Sequence, residues 1–474
     1  MALLRIVPCE IAWLPWSAAA FARARAERKP VLLCIVTAWS DACREMDRTS
    51  YADPAVAARI NGSFIPVRVD ADRRPDISER YALGGWPTTA FLTPDGEVLG
   101  GGTYVECARL PGVLDEVCAA FARGSVPAAP TRPPGADDLP RAEVDPDVLA
   151  ADVLADYDER HGGFGTGGKF PHTAPLHLAL ARYRRSGAPR LAAIVTTTLD
   201  AMGWGPLYDQ VDGGFFRYAA APDWREPQRE KTLEVNAQLL RLYVDAARAL
   251  DIGRFADRAA GVIHYVQRFL SDADDGGWYG SQRASDGHVD RTLYADGNAV
   301  MASAMLEAAA LFDDDSLREF ALRSLERVLL ACYQPGHGVA HYLDRGPQVR
   351  GLLADQVAMA AAQLDAFAAT GNIVYEMMAE ELMHQAALGL WDDEGGGFYD
   401  RSSAGASDVG RMRVRLKPFV QNCEAAQVLR RLAATSGESR FAQLAAESLA
   451  AVAPAAARQG PLAAQYVLAR EQAE

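Results

Sequence analysis

A chain of 474 residues exceeds one ordinary hydrophobic core, so two domains are the starting expectation, and 49% apolar residues is the make-up of a soluble globular protein. With 62 acidic against 48 basic residues the net charge is −14, which argues against a nucleic-acid footprint and against docking on an anionic membrane. No run approaches a membrane span, and Pro8, Glu10 and Pro15 interrupt any signal-like apolar stretch at the start.

Seven cysteines (Cys9, Cys34, Cys43, Cys107, Cys118, Cys332 and Cys423) are scattered and odd in number. That fits a reducing, cytoplasmic setting better than a disulfide scaffold. No zinc spacing is present, and neither a metal nor a cofactor is expected. Basic residues are almost all Arg; the lysines are Lys29, Lys169, Lys231 and Lys417, which singles those four out.

Along residues 1–124, Ser17 can cap a helix through AAFARARAERK. VLLCIVT (Val31–Thr37) is an apolar run of buried-strand type, followed by a helix to about Ile60 and a second strand at Ser63–Asp70. Pro94-Asp95-Gly96 turns the next strand into a hairpin, and Leu110–Arg123 closes as a helix. This β-α-β then ββα order predicts a thioredoxin fold. Trp39-Ser40-Asp41-Ala42-Cys43 sits where such proteins carry W-C-x-x-C, and Trp86-Pro87 where they carry a proline beside the site. Ser40 replaces the attacking thiol, so dithiol exchange is not expected. Ser40 instead suits a helix N-cap, and Cys43 keeps open a monothiol role.

Residues 125–142 are rich in Pro and Ala and predict a linker. From residue 143 to 474 helix follows helix, broken by a recurring Gly-Gly-aromatic device at Gly162-Gly163-Phe164, Gly213-Gly214-Phe215, Gly276-Gly277-Trp278 and Gly396-Gly397-Phe398, with a degenerate copy near Gly336-His337-Gly338. Repeated helical hairpins joined by such loops predict an all-α (α/α)6 toroid, with the long loops gathered on one binding face.

The chain resembles the family of spermatogenesis-associated thioredoxin-like proteins and their bacterial relatives. The resemblance is carried by KPVLL (Lys29–Leu33), VRVDADRRPDI (Val67–Ile77), GGWPTTAFLTPDG (Gly84–Gly96), GGTY (Gly101–Tyr104), GGKFP (Gly167–Pro171), YDQVDGGFFRY (Tyr208–Tyr218) and EKTLEVNAQLL (Glu230–Leu240). It implies a thioredoxin-like domain fused to a six-hairpin domain of glycosidase or epimerase type, and a cis Trp86-Pro87 bond. This chain departs from the family at Ser40, at Gln228-Arg229 and at Glu234-Val235, positions where chemistry would be sought.

Sugar hydrolysis needs two carboxylates across a cavity, one acid and one base or nucleophile. Glu230, Asp209 and Asp296 are the catalytic candidates, with Cys43 held for the redox alternative. Ligand contacts are expected from Lys169, His172, Tyr208, Trp224, Lys231, Asn236, Asn298 and Asp355, with Glu234 an additional carboxylate. Lys169, Asp209, Glu230, Lys231 and Asn236 are expected to converge on one cavity; the competing expectation is a closed salt-bridge network. Acidic residues at helix starts also serve as ordinary dipole partners. Epimerisation calls for paired histidines, and with His172, His341 and His384 available none follows His384. A carbohydrate-like small molecule is the expected partner, and a catalytically inactive, chaperone-like scaffold the alternative.

Overall fold

The computed structural model describes residues 10–124, 143–403, 405 and 408–471; the expected linker, 125–142, lies outside them. The chain divides into two units, one of Met1–Pro133 with Ser403–Arg415, the other of Pro134–Ser402 with Leu416–Glu474. Boundaries drawn from sequence at 124 and 143 miss the return of Ser403–Arg415 to the first unit.

The first unit runs β1 (Leu14–Pro15), α1 (Ala18–Glu27), β2 (Val31–Val36), α2 (Asp41–Arg48), α3 (Pro54–Ser63), β3 (Ile65–Asp70), α4 (Pro75–Tyr81), β4 (Thr88–Leu92), β5 (Val98–Gly102) and α5 (Leu110–Ala122). The sheet order is β1-β3-β2-β4-β5, parallel from β1 to β2 and antiparallel at β4 and β5. Every residue of β2 is buried, which is why it reads as one unbroken apolar run. The Trp86-Pro87 bond is cis. The returning segment is held by side chains: Arg80 Nη2 donates to the Val414 carbonyl at 2.7 Å, and the Tyr81 hydroxyl accepts from Arg411 N–H at 2.8 Å. Val409 and Met412 enter the same core as Val31, Leu33 and Tyr81. The described part of this segment includes a 3-10 turn at Gly410–Arg413, too short to show a helical period in sequence.

The second unit contains α6 (Pro146–Ala155), α7 (Ala174–Ser186), α8 (Pro189–Gly203), α9 (Leu233–Leu250), α10 (Gly253–Tyr265), α11 (Ala295–Phe312), α12 (Asp315–Cys332), α13 (Leu353–Thr370), α14 (Ile373–Leu390), α15 (Phe419–Ser436), α16 (Ser439–Val452) and α17 (Ala464–Glu471). Five consecutive pairs, from α7–α8 to α15–α16, form hairpins whose partners pack together, and α17 packs on α6. Two-residue turns join these pairs, opened by a left-handed residue at Gly187, Asp251, Asp313, Gly371 or Gly437. Such a residue ends a helix sharply and frees the chain to reverse.

The first helices of these hairpins pack in cyclic order: α7 on α9, α9 on α11, α11 on α13, α13 on α15, α15 on α17 and α17 back on α7. The ring is closed. Short turns occupy one end and the long Gly-aromatic loops the other, so α9, α11, α13 and α15 all begin at the long-loop face.

Candidate functional site

The long loops are built on one repeated plan. An Asp stands four residues before the first glycine of each pair: Asp158, Asp209, Asp272 and Asp392. Its carboxylate accepts from backbone N–H groups of its own turn and from a cation that closes the loop. The cation is Lys169 on Asp158 (2.8 Å), Lys231 on Asp209 (2.7 Å), Lys417 on Asp392 (2.6 Å) and, in the third loop, Arg327 of α12 on Asp272 (2.9 Å). Both glycines take positive φ, and a Cβ on Gly214 would meet the Tyr265 ring at 2.4 Å, so no other residue fits there.

A second repeat fixes the aromatic. The fourth residue of α9, α11, α13 and α15 is Asn236, Asn298, Gln356 and Asn422. Each side chain accepts from the N–H, and donates to the C=O, of Phe215, Trp278, Val339 and Phe398 respectively. A buried amide with its backbone partners satisfied in this way specifies the loop's position.

These repeats relocate most of the expected ligand contacts. Lys169 closes the first loop on Asp158, Asp209, Lys231 and Asn236 together hold the second, and Asn298 holds the third, so these polar groups are spent on loop backbone and on one another. Burial alone would raise the Asp209 carboxyl, but the Lys231 ammonium and two backbone N–H groups outweigh it and hold the group below its usual range. Trp224 is fully buried over Gly163 and donates its Nε1–H to the His161 carbonyl at 2.9 Å. Tyr208 is buried beneath the Arg258 guanidinium of α10, away from the ring interior. Glu230 takes Arg217 at 2.7 Å, Arg217 lies over Tyr218, and Tyr218 stacks on half-exposed Phe170. His172 continues that row just before α7, its imidazole pushed down by burial.

The groups that do meet lie in the first turns of the ring helices. Glu234 and Asp296 are second residues of α9 and α11, Asp355 is the third of α13, and Glu424 lies one turn into α15. Burial raises Glu424 to about 7, and the charges of Glu234 and Asp296 add to the shift. Glu234 is raised by burial and by Asp296. In the ring α15 packs on α13 and α17, which sets it opposite α9, and Glu424 feels the charge of Glu234 from there. Glu234 is solvent-accessible although protein surrounds it, which describes a side chain lining a cavity. Further along the same helices, Arg241 binds Glu307 (2.8 Å) and Arg431 binds Asp365 (2.6 Å), forming a charged floor.

Asp355 is fully buried, and its Oδ1 lies 2.9 Å from His341 Nδ1. His341 arrives on the strand Gly338–Leu343, whose pairing of Tyr342 with Tyr294 sets it beside the start of α11. Burial raises Asp355 to about 6 against the opposing pull of His341. The sequence reading named Asp296 and Asp355 but not Glu424, and it weighed His341 only for epimerisation. Aligning the four helices on their fourth residue sets Glu424 against Gln238, Val300 and Ala358, so the repeat does not mark it.

In the first unit, Ser40 caps α2 by accepting from Cys43 N–H at 3.2 Å. Burial pushes the Cys43 thiol up, the opposite of what a reactive monothiol needs. The six cysteines among the described residues are free.

Residues 2–120 match a family model described as Thioredox_DsbH, protein of unknown function, DUF255. Spermatogenesis-associated protein 20 of Rattus norvegicus is 28% identical over 310 residues, and an uncharacterized protein of Caenorhabditis elegans 28% identical over 303. Over these stretches the chain is similar to the spermatogenesis-associated thioredoxin-like proteins. These matches cover 57% and 58% of the chain but 38% and 41% of the relatives, so it spans about two-fifths of their length. Among solved structures, cellobiose 2-epimerase from Bacillus thermoamylovorans aligns at TM-score 0.54 and 11% identity, covering 63% of this chain and 82% of that one. A GH76 alpha-mannanase of Bacteroides thetaiotaomicron aligns at 0.53 and 11%, covering 69% and 95%. At that identity the likeness is one of fold: a helix-rich, six-hairpin glycosidase- or epimerase-like domain. No helix among the described residues is long and apolar enough to cross a membrane.

Proposed function

We propose that the ring cavity binds a carbohydrate-like small molecule and performs proton transfer on it, with Glu424 as proton donor and Glu234 as its ionised partner. The observation that carries this reading is the closed ring, in which α15 stands opposite α9 and Glu424 is raised to about 7, first by burial and then by the charges of Glu234 and Asp296. A carboxylic acid that keeps its proton to about pH 7 can protonate a leaving or ring oxygen, while a second carboxylate takes a proton or attacks. Gln238 donates to Glu234 at 3.1 Å, opposing the upward push of burial and Asp296 on that carboxyl. The exposed Phe170–Tyr218 stack on the long-loop face suits a sugar ring. Solved neighbours whose titles name an epimerase and a mannanase support the substrate class.

The first unit is read as thioredoxin-like in its strand order and cis Trp86-Pro87, with Ser40 and a buried Cys43 in place of a working dithiol. A thermal-shift screen with mono- and disaccharides, followed by a product assay on any hit, tests the proposal. Binding should raise the melting temperature with the logarithm of ligand excess, and Glu424→Gln should bind without turnover. Binding with no turnover in the native chain leaves the scaffold reading. No stabilisation by any sugar overturns the carbohydrate reading.

A further inference from the structure

We infer that Asp296, His341 and Asp355 form a binding site for one divalent transition cation, of the Mn²⁺ or Zn²⁺ class, at the wall of the ring cavity. One ligand atom from each of the three lies within 4.8 Å of the others. Donors on opposite sides of such an ion stand about 4 Å apart, so a small inward movement closes the set.

The second observation is at Asp355. Its side chain is fully buried and its Oδ2 lacks a hydrogen-bond partner within bonding geometry, although the Asp296 backbone N–H acts on the same carboxylate. A buried carboxylate oxygen left so is costly unless a cation or proton meets it. His341 already holds the other oxygen, at 2.9 Å, and Asp296 is half-exposed, giving an ion a way in from the cavity.

The surroundings favour a cation. Glu234 of α9 is a further carboxylate of the same wall, and among the described residues no Lys or Arg forms an ion pair with Asp296 or Asp355. The three ligands stand on rigid elements, two in helix first turns and one on a strand paired to the start of α11. One imidazole with two carboxylates suits Mn²⁺, Fe²⁺ or Zn²⁺ better than Mg²⁺ or Ca²⁺, which take oxygen donors. The remaining positions on the ion would face the cavity, where hydroxyl or carbonyl oxygens of a bound molecule could enter.

The test uses the full chain after EDTA treatment and dialysis, titrated with Mn²⁺ alone and followed by the electron paramagnetic resonance signal of the free ion. We expect one Mn²⁺ per chain, echo modulation from a coordinated imidazole nitrogen, and affinity lowered about 100-fold or more in Asp355→Asn and in Asp296→Asn. Folding of both variants is checked by melting without metal. If either fails to fold, the nitrogen modulation of the native chain decides. No binding, binding without nitrogen modulation, or unchanged affinity in folded variants overturns the site. Sugar-induced stabilisation of the EDTA-treated chain is read separately, so the metal site and the proposed function fail independently.

Discussion

The Lys231 ammonium lies 2.7 Å from Asp209 Oδ2 and 2.7 Å from the Gly213 carbonyl, in a pocket that leaves its side chain 5% exposed. It stands over the Tyr265 ring at 4.3 Å. Two donors are used inside the loop and the charge faces the Tyr265 ring of α10, so the residue holds the turn. Lys231→Met removes one partner of a buried pair and leaves Asp209 uncompensated, which costs about 3–5 kcal/mol. Urea unfolding of the second unit checks this. Loss of sugar binding with unchanged stability would instead put Lys231 in contact with ligand.

The architecture was legible because its repeats are chemical. Gly-Gly-aromatic loops recur visibly, and three of the four lysines, Lys169, Lys231 and Lys417, mark the clips. The same visibility misled the site assignment. Polar residues in apolar surroundings satisfy loop backbone in this fold, and a ligand contact has the same signature in sequence. Glu424 was hidden for the converse reason. It sits mid-turn in an amphipathic helix, and only the closing of the ring brings it opposite Glu234.

Cys43 should behave as an inert thiol. Burial is the main cause of its raised pKa, and it outweighs the hydrogen bond from Ser40. Alkylation by iodoacetamide at pH 7.5, followed by peptide mass spectrometry, should run at least about 10-fold slower at Cys43 than at the more accessible Cys107. Equal or faster labelling of Cys43 would restore the monothiol role.

Asp245 on α9 should contribute to acid sensitivity. Burial would raise it, but His177 and Arg184 of α7 bring it down to about 2. A carboxyl depressed in the folded state stabilises above its unfolded value near 4, and the contribution is lost as pH falls through its folded value. The linkage amounts to roughly 2 kcal/mol, with the loss spread between about pH 4 and pH 2. Asp245→Asn should therefore be less stable than the native chain at pH 6 and should match it near pH 2. Melting across that range reads the difference, and a constant gap down to pH 2 would reject the linkage.

Glu424 carries the opposite sign, and that makes it diagnostic of a working site. Its folded value of about 7 lies above the ordinary 4.5, so the folded chain keeps a proton that the unfolded chain has released. Stability from this group is complete below about pH 4.5 and falls as pH rises toward 7, by about 1–3 kcal/mol after allowing for partial exposure. Glu424→Gln removes the penalty: the variant should melt higher than the native chain at pH 8 and equally at pH 4. A residue kept for structure should not become more stabilising when its charge is deleted. If the same substitution also abolishes turnover, and if native turnover declines above pH 7 as the acid form is lost, strain at this position is being spent on chemistry. A Glu424→Gln variant that is less stable at pH 8 would show that the carboxylate is satisfied where it stands, and the assignment of the proton donor would fall with it.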